Sequence, residues 1–350
     1  MCAAEKAAAI ADHETAALFA LLPDAGRVVL AVSGGADSTA LLVLAARWRS
    51  DRAHGPELIA ATVDHRLRTA AHREAEVVAA LAQRLGMRHE ILTWDGNKPK
   101  SGIEAAARTA RYRLLAAFAR HVNADAVVTA HTLDDQAETV LMRLAAGSGP
   151  AGLAGMRPKD TRDGMTLLRP FLRTRKRRLV ATLERDGIAW SEDPMNADAT
   201  FARPRLRATR AALAREGLTP ERIARLAGRI ARHEEVVAAA VDAARDTLRR
   251  SDAPGWFDGR ALAAAPEELA LRLLAAEIEA IAPANRAAKP LRLQRLETLW
   301  SDLSAAVAAG RACQRTLAGA LIAVRSDGTL LVSQAPPRRN PAKDPFMNSE

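Results

Sequence analysis

Aromatic residues are scarce: one tyrosine, six phenylalanines and five tryptophans in 350 residues, or 3%. Sheet-based readers of single-stranded RNA stack bases on aromatic platforms. That supply is missing, so an RNA partner would be held by charge and shape, with one base taken into a pocket. Cysteine is scarcer still, with only Cys2 and Cys313. Two isolated thiols exclude a Cys-x-x-Cys redox pair, a cysteine metal site and a disulfide framework. A reducing cytoplasm is the expected compartment. No apolar run reaches the about 18 residues of a membrane span, so no membrane partner is expected. The first residues carry Glu5, Asp12 and Glu14 among alanines and leucines. Acids there argue against a signal peptide and for an amphipathic first helix. No Gly-x-x-x-x-Gly-Lys-Ser/Thr occurs, so no loop lysine is available to reach a γ-phosphate.

What is present is apolar and basic. Apolar residues make up 49% of the chain, enough for two or three packed domains at this length. Lysine plus arginine number 51 against 41 acids, a net charge of +10. That excess suits a polyanion such as nucleic acid. A chain rich in both Ala and Arg can also reach this balance through a GC-rich genome alone.

Strand-like and helix-like runs alternate through the first two-thirds. Strands are predicted at Arg27–Val32, Glu57–Val63, Arg88–Thr93 and Ala124–Ala130. Helices are predicted at Ser38–Arg49, Ala71–Leu85, Gly102–Arg120 and Asp134–Ala146. The alternation predicts an α/β fold, a parallel sheet with helices on both faces in the Rossmann-like manner. Ligands in such sheets sit at the carboxyl ends of strands. Ser33, Asp64 and His131 each follow a predicted strand and should share one rim. An apolar run, Met165–Leu168, leads to a helix over Thr174–Asp186. The predicted organisation is an N-terminal helix within 1–26, the α/β domain over 27–190 and a polar junction at 191–215. A smaller helical domain follows over 216–310, opened by Thr219 as N-cap and Pro220 in the first turn. A short β tail at 311–334 carries an Asp327-Gly328 hairpin signal. Residues 335–350, rich in Pro, Arg and Lys, are expected to be disordered.

Three clusters carry chemistry. In the first, the apolar run Val28–Val32 ends in Ser33-Gly34-Gly35-Ala36-Asp37-Ser38, and a helix-type run follows at once. A strand feeding a glycine turn that opens a helix makes an anion site. Two glycines admit phosphate close to the backbone, and Ser33 and Ser38 add hydroxyls. Asp37 would repel a bare phosphate and makes sense as a magnesium ligand beside it. The run resembles the pyrophosphate loop of ATP pyrophosphatases, which cleave ATP to AMP and pyrophosphate. In the second cluster, His131-Thr132-Leu133-Asp134-Asp135-Gln136-Ala137-Glu138 again runs from strand through turn to helix. Acids in a first turn complement the helix dipole, which leaves His131 and Glu138 unexplained. Asp134 and Glu138 share a helix face, suited to a base edge, an amine or magnesium. Gly147, Gly149 and Gly152 match Gly-x-Gly-x-x-Gly, but they follow a helix instead of a strand. They are read as a flexible helix-end loop. In the third cluster, Glu104, Arg108 and Arg111 lie along one helical face before Tyr112, as a salt-bridge ladder or a functional stripe. The basic run Arg173-x-Arg175-Lys176-Arg177-Arg178 reads as a solvated helix face or a grip on RNA backbone.

These pieces occur in the order found in the tRNA(Ile)-lysidine synthetase family, which the chain resembles over roughly 27–207. The matching residues are Ser33–Ser38, Val63-Asp64-His65-x-Leu67-Arg68, Glu104-x-x-x-Arg108-x-x-Arg111-Tyr112 and Ala130-His131-x-x-Asp134-Asp135-Gln136-x-Glu138. Gly147-Ser148-Gly149-x-x-Gly152, Arg169-Pro170 and Glu192-Asp193-x-x-Asn196-x-Asp198 complete the set. The resemblance implies an ATP- and Mg2+-dependent ligase acting on a CAU-anticodon isoleucine tRNA and free L-lysine. It implies catalytic roles for Asp37, Arg108, Asp134 and Glu138, with Asp37 on the metal. It implies ATP binding by Ser33, Gly34, Gly35, Ala36, Asp37, Ser38, Asp64 and His131. Arg111, Asp135, Arg175, Arg177 and Arg205 are assigned to tRNA or lysine. A homodimer is compatible with the family.

Two departures stand out. The glycine usual after the Asp-His pair is Arg66, and the family's Arg-Asn-Arg appears as Arg203-Pro204-Arg205, where proline removes an amide donor. The competing readings are a tRNA 2-thiolation enzyme, which typically carries paired cysteines, and a non-catalytic RNA-binding protein. The intact Ser33, Asp37, Ser38, Asp134 and Glu138 argue against the latter.

Overall fold

A computed structural model describes residues 7–67, 70–96, 98–99, 101–191, 202–250, 255–281 and 291–336. Arg68, the Glu192–Asp198 motif and the tail from 337 onward lie outside the described residues. The chain divides into two compact units, Met1–Ala231 and Arg232–Glu350.

The first unit opens with α1 (Asp12–Leu18), then alternates β1 (Arg27–Ala31), α2 (Ala36–Ser50), β2 (Glu57–Asp64), α3 (Ala70–Arg84), β3 (Arg88–Thr93), α4 (Ile103–His121), β4 (Ala126–Thr129) and α5 (Leu133–Ala145). A single helical turn, α6 (Pro150–Leu153), precedes the hairpin of β5 (Lys159–Arg162) and β6 (Met165–Leu168). Then come α7 (Lys176–Arg185), α8 (Ala202–Arg215) and α9 (Pro220–Leu248), within which the unit boundary falls. The sheet order is β3-β2-β1-β4-β6-β5. All pairings are parallel except β5 with β6. The parallel α/β architecture therefore matches the sequence expectation, with an unanticipated antiparallel edge strand.

Alternation along each strand explains why helices cover both faces. Val28, Leu30 and Val128 point into one core with Leu41, Leu44 and Leu179. Their neighbours Val29, Ile59 and Val127 point into another with Tyr112, Leu115 and Phe118 of α4. A period of two sends adjacent residues to opposite faces. Helix α2 is buried without a break from Ser38 to Ala45, as expected of a helix enclosed on all sides. The strand order reverses between β1 and β4, and the crevice at their carboxyl ends is where an open α/β sheet holds its ligand.

The loop expected to be flexible after α5 is pinned instead. Arg143 Nη1 donates to the carbonyls of Gly152 at 2.7 Å and Gly155 at 3.0 Å. The Gln136 side chain bonds the Met156 amide and carbonyl. A glycine run is held where a partly buried arginine takes two of its carbonyls.

In the second unit, β7 (Trp256–Asp258), α10 (Gly259–Ala264), α11 (Glu267–Ile281), α12 (Leu293–Ala308), β8 (Cys313–Leu317), β9 (Ala320–Val324) and β10 (Thr329–Gln334) follow. The sheet order is β7-β10-β9-β8, all antiparallel. The tail expected at 311–334 supplies three of these strands and shares one core with the helices, through Leu274, Leu303, Ile322 and Leu330. Gly328, at φ +87°, makes the β9–β10 turn where the sequence signal stood. Among the described residues, no helix is long and apolar enough to cross a membrane.

Candidate active site

The glycine loop forms as the sequence requires. Gly34 adopts φ +86°, a left-handed conformation in which a side chain would be strained. A Cβ on Gly35 would meet nothing within 4 Å, so that side of the loop is open to a ligand. The loop is braced from inside. Ser38 Oγ bonds the Gly35 carbonyl at 3.0 Å and the Ser33 amide at 3.1 Å, and it lies 3.2 Å from Ser33 Oγ. Thr39 Oγ1 donates to the Gly34 carbonyl. Ser38 is thus a buried part of the brace, Ala36 is buried beside it, and Ser33 stands exposed at the rim.

Asp37 opens α2 beside the loop. Its Oδ2 takes the Lys176 ammonium at 2.7 Å, across 139 residues of chain. Its Oδ1 is buried with no hydrogen-bond partner. Burial pushes this carboxyl above the usual range, against the pull of Lys176 and with help from Asp135 and Asp134. A carboxylate with one orphaned oxygen fits a divalent cation. Among the described residues, no group of three or more potential ligands could cage such an ion. Mg2+ is commonly held by one or two carboxylates together with substrate phosphates, a role the orphaned Asp37 oxygen suits.

Asp64 ends β2, and its Oδ1 accepts the Arg66 amide at 2.8 Å. Arg66 stands at φ +49°. This left-handed backbone is the physical reason a glycine suits the position, and here the Asp64 carboxylate helps stabilise the turn around an arginine. Pro204 falls in the first turn of α8, where amides have no intrahelical partner, so proline costs no helix bond there.

His131 follows β4, with Nδ1 2.8 Å from Thr129 Oγ1. Burial, aided by the field of Arg169, Arg108 and Arg111, drives its pKa well below the usual histidine value, against Asp135. The imidazole is therefore neutral. Helix α5 begins with a capping box: Thr132 Oγ1 accepts the Asp135 amide, and Asp135 Oδ2 takes the Thr132 amide and hydroxyl, each at 2.8 Å. One oxygen of Asp135 is therefore committed to the helix start. Asp134 Oδ2 accepts the Lys176 amide at 2.9 Å, and its Oδ1 meets Arg210 at 2.7 Å. Glu138, one turn on, is gripped by Arg207 through both oxygens.

Arg108 lies over the Tyr112 ring at 5.3 Å, and Arg162 of β5 lies over the same ring at 3.8 Å. The sole tyrosine is a buried core residue that carries two guanidiniums. Arg111 stays close enough to lower both His131 and His65.

The basic run divides. Arg175 turns inward to Asp134 at 3.6 Å and Glu221 at 3.3 Å. Arg178 clamps α1 through Glu14 and the Ala8 and Ala9 carbonyls. Arg173 and Arg177 are exposed, as is Arg205 on α8. Two residues that the sequence did not single out, Arg207 and Arg210, sit on the α5 acids, and Lys176 of the basic run sits on Asp37. Only their basic character and the i, i+3 spacing of the two arginines hinted at it.

A family model described as a PP-loop domain matches residues 8–212. A Methylobacterium nodulans protein named tRNA(Ile)-lysidine synthase is 54% identical over 322 residues, covering 90% of this chain and 92% of its own. One from Bradyrhizobium sp. BTAi1 with the same name is 47% identical over 344 residues, covering 94% and 96%. Among solved structures, the U34-tRNA thiolase NcsA from Methanococcus maripaludis aligns with a TM-score of 0.54 at 16% identity. The alignment covers 63% of this chain and 78% of that one, a likeness of fold. Over nearly its whole length, then, the chain belongs to the tRNA(Ile)-lysidine synthase family of PP-loop proteins.

Proposed function

We propose that this protein uses ATP to activate O2 of the wobble cytidine in a CAU-anticodon isoleucine tRNA, then joins free L-lysine to C2. The products are lysidine, AMP and pyrophosphate. One observation carries the reading: the Ser33–Ser38 loop and the acids of α5 follow adjacent strands and open on the crevice where the strand order reverses.

The chemistry follows from the groups present. A carbonyl oxygen leaves poorly and AMP leaves well, so activation must come first. Attack of cytidine O2 on the α-phosphorus breaks the bond to the bridging oxygen, and the electron pair leaves with pyrophosphate. Ser33 and the loop backbone, open at Gly35, hold the phosphates. Asp37 would hold Mg2+, which when bound offsets phosphate charge. Asp64 and neutral His131 line the nucleotide side, and Arg108 and Arg111 steady charge on the leaving group. The α5 acids already hold cationic side chains, and Asp134 and Glu138 suit the lysine ammonium. The attacking amine must lose a proton, for which a carboxylate of this cluster is the acceptor. Arg177 and Arg205 are exposed and suited to tRNA phosphates.

The test is nucleotide turnover. Release of AMP from ATP should depend on both the tRNA and lysine. Turnover indifferent to RNA would remove the reading.

A further inference from the structure

The loop lacks the lysine that a P-loop carries, yet a lysine reaches it from another element. Lys176 is the first residue of α7, and its backbone is fixed by the bond from its amide to Asp134. Its side chain spans to Asp37, where Nζ meets Oδ2 at 2.7 Å. The ammonium end is not locked in. The Lys176 side chain is 48% exposed, against 22% for Asp37. Among the described residues, Asp37 alone holds Nζ, and the second Asp37 oxygen has no hydrogen-bond partner. An anchored backbone with a movable charged tip is the arrangement of a residue that exchanges partners.

We propose that Lys176 is a polyphosphate-binding residue. It pairs with Asp37 while the loop is empty and turns to the β- and γ-phosphates when nucleotide arrives with its metal. The inference rests on the reading of the loop as an ATP site. The driving force is charge. A divalent cation at Asp37 displaces a monovalent one and repels it, and the nearest uncompensated negative charge is then the polyphosphate beside the loop. When the α-phosphorus bond breaks, the electron pair moves onto pyrophosphate, and an ammonium there neutralises the charge that develops. The role differs from that of Arg108 and Arg111, because Lys176 also shields Asp37 before the nucleotide binds.

The experiment measures calorimetric affinities of the full chain for ATP, pyrophosphate and AMP in Mg2+. Wild type is compared with Lys176→Met and Lys176→Arg. Loss of a charge-assisted contact should weaken ATP and pyrophosphate by about 10- to 100-fold. AMP, which has no β- or γ-phosphate, should bind unchanged, and Lys176→Arg should keep most of the affinity. With Mg2+ alone, Lys176→Met should gain more thermal stability than wild type, because the competing ammonium is gone. Equal loss for AMP and ATP would mark a collapsed site and overturn the proposal. So would ATP affinity untouched by the methionine. A wild type that binds no ATP would defeat the reading of the loop itself and this inference with it.

Discussion

Arg207 closes on Glu138 through two bonds, Nε to Oε1 at 2.7 Å and Nη2 to Oε2 at 3.2 Å. The Glu138 side chain is only 7% exposed, and without Arg207 its nearest cation is Arg210 at 3.9 Å, so the under-paired carboxylate is costly. Arg207→Met should lower stability by about 1–3 kcal/mol in urea unfolding. Adding Glu138→Gln removes the stranded charge and should recover most of that loss. Lysine transfer should stay at least about 100-fold down in the double variant. Recovery of activity together with stability would show that Glu138 serves the fold alone.

The family resemblance places Asp135 among the substrate-binding residues, and the structure commits one of its oxygens to the α5 capping box. Asp135→Ala should cost about 1 kcal/mol through the lost cap. Thr132→Ala should cost a similar amount, and the pair should be clearly less than additive. A loss of lysine affinity with unchanged melting would instead put Asp135 in the substrate pocket.

The split in the basic run gives a salt test. Neutralising exposed Arg173 or Arg177 should each flatten the slope of log affinity for tRNA against log salt by roughly one. Arg175→Gln should leave the slope alone and lower stability, because Arg175 faces Asp134 and Glu221. Identical slopes for all three variants would contradict the division.

Acid should undo the clamp on α1. The Arg178 guanidinium, with the Ala11 amide, lowers the Glu14 carboxyl from 4.5 to about 2. A carboxyl depressed in the folded state adds stability that is complete above the unfolded value and vanishes as pH falls through the folded one. Glu14→Gln should therefore be less stable than wild type at neutral pH by roughly 0.5–1 kcal/mol, as for a half-exposed pair. The gap should close between pH 4.5 and about 2. A gap constant across that window would rule out the ion pair as its source.

The sheet and its rim were legible because buried parallel strands and their helices write a local pattern. Arg88–Thr93 and Met165–Leu168 form with the predicted ends, Ser33 and His131 follow β1 and β4, and Asp64 ends the neighbouring β2. What was hidden depends on distance along the chain. β5 carries no apolar residue and β7 spans only three residues, so both take their form from pairing with β6 and β10. Helix α8 lies in a stretch read as a junction, its arginines defined by the α5 acids they face. The Lys176–Asp37 contact joins two elements that no local pattern links.

The central claim is tested most directly by incubating the protein with ATP, Mg2+, radiolabelled lysine and a CAU-anticodon isoleucine tRNA transcript. Wild type and Asp37→Ala should be run side by side. Label fixed in the tRNA by wild type and lost in the variant is the expected result. ATP cleavage without label in the RNA would contradict lysidine synthesis, and the loop would then serve another nucleophile.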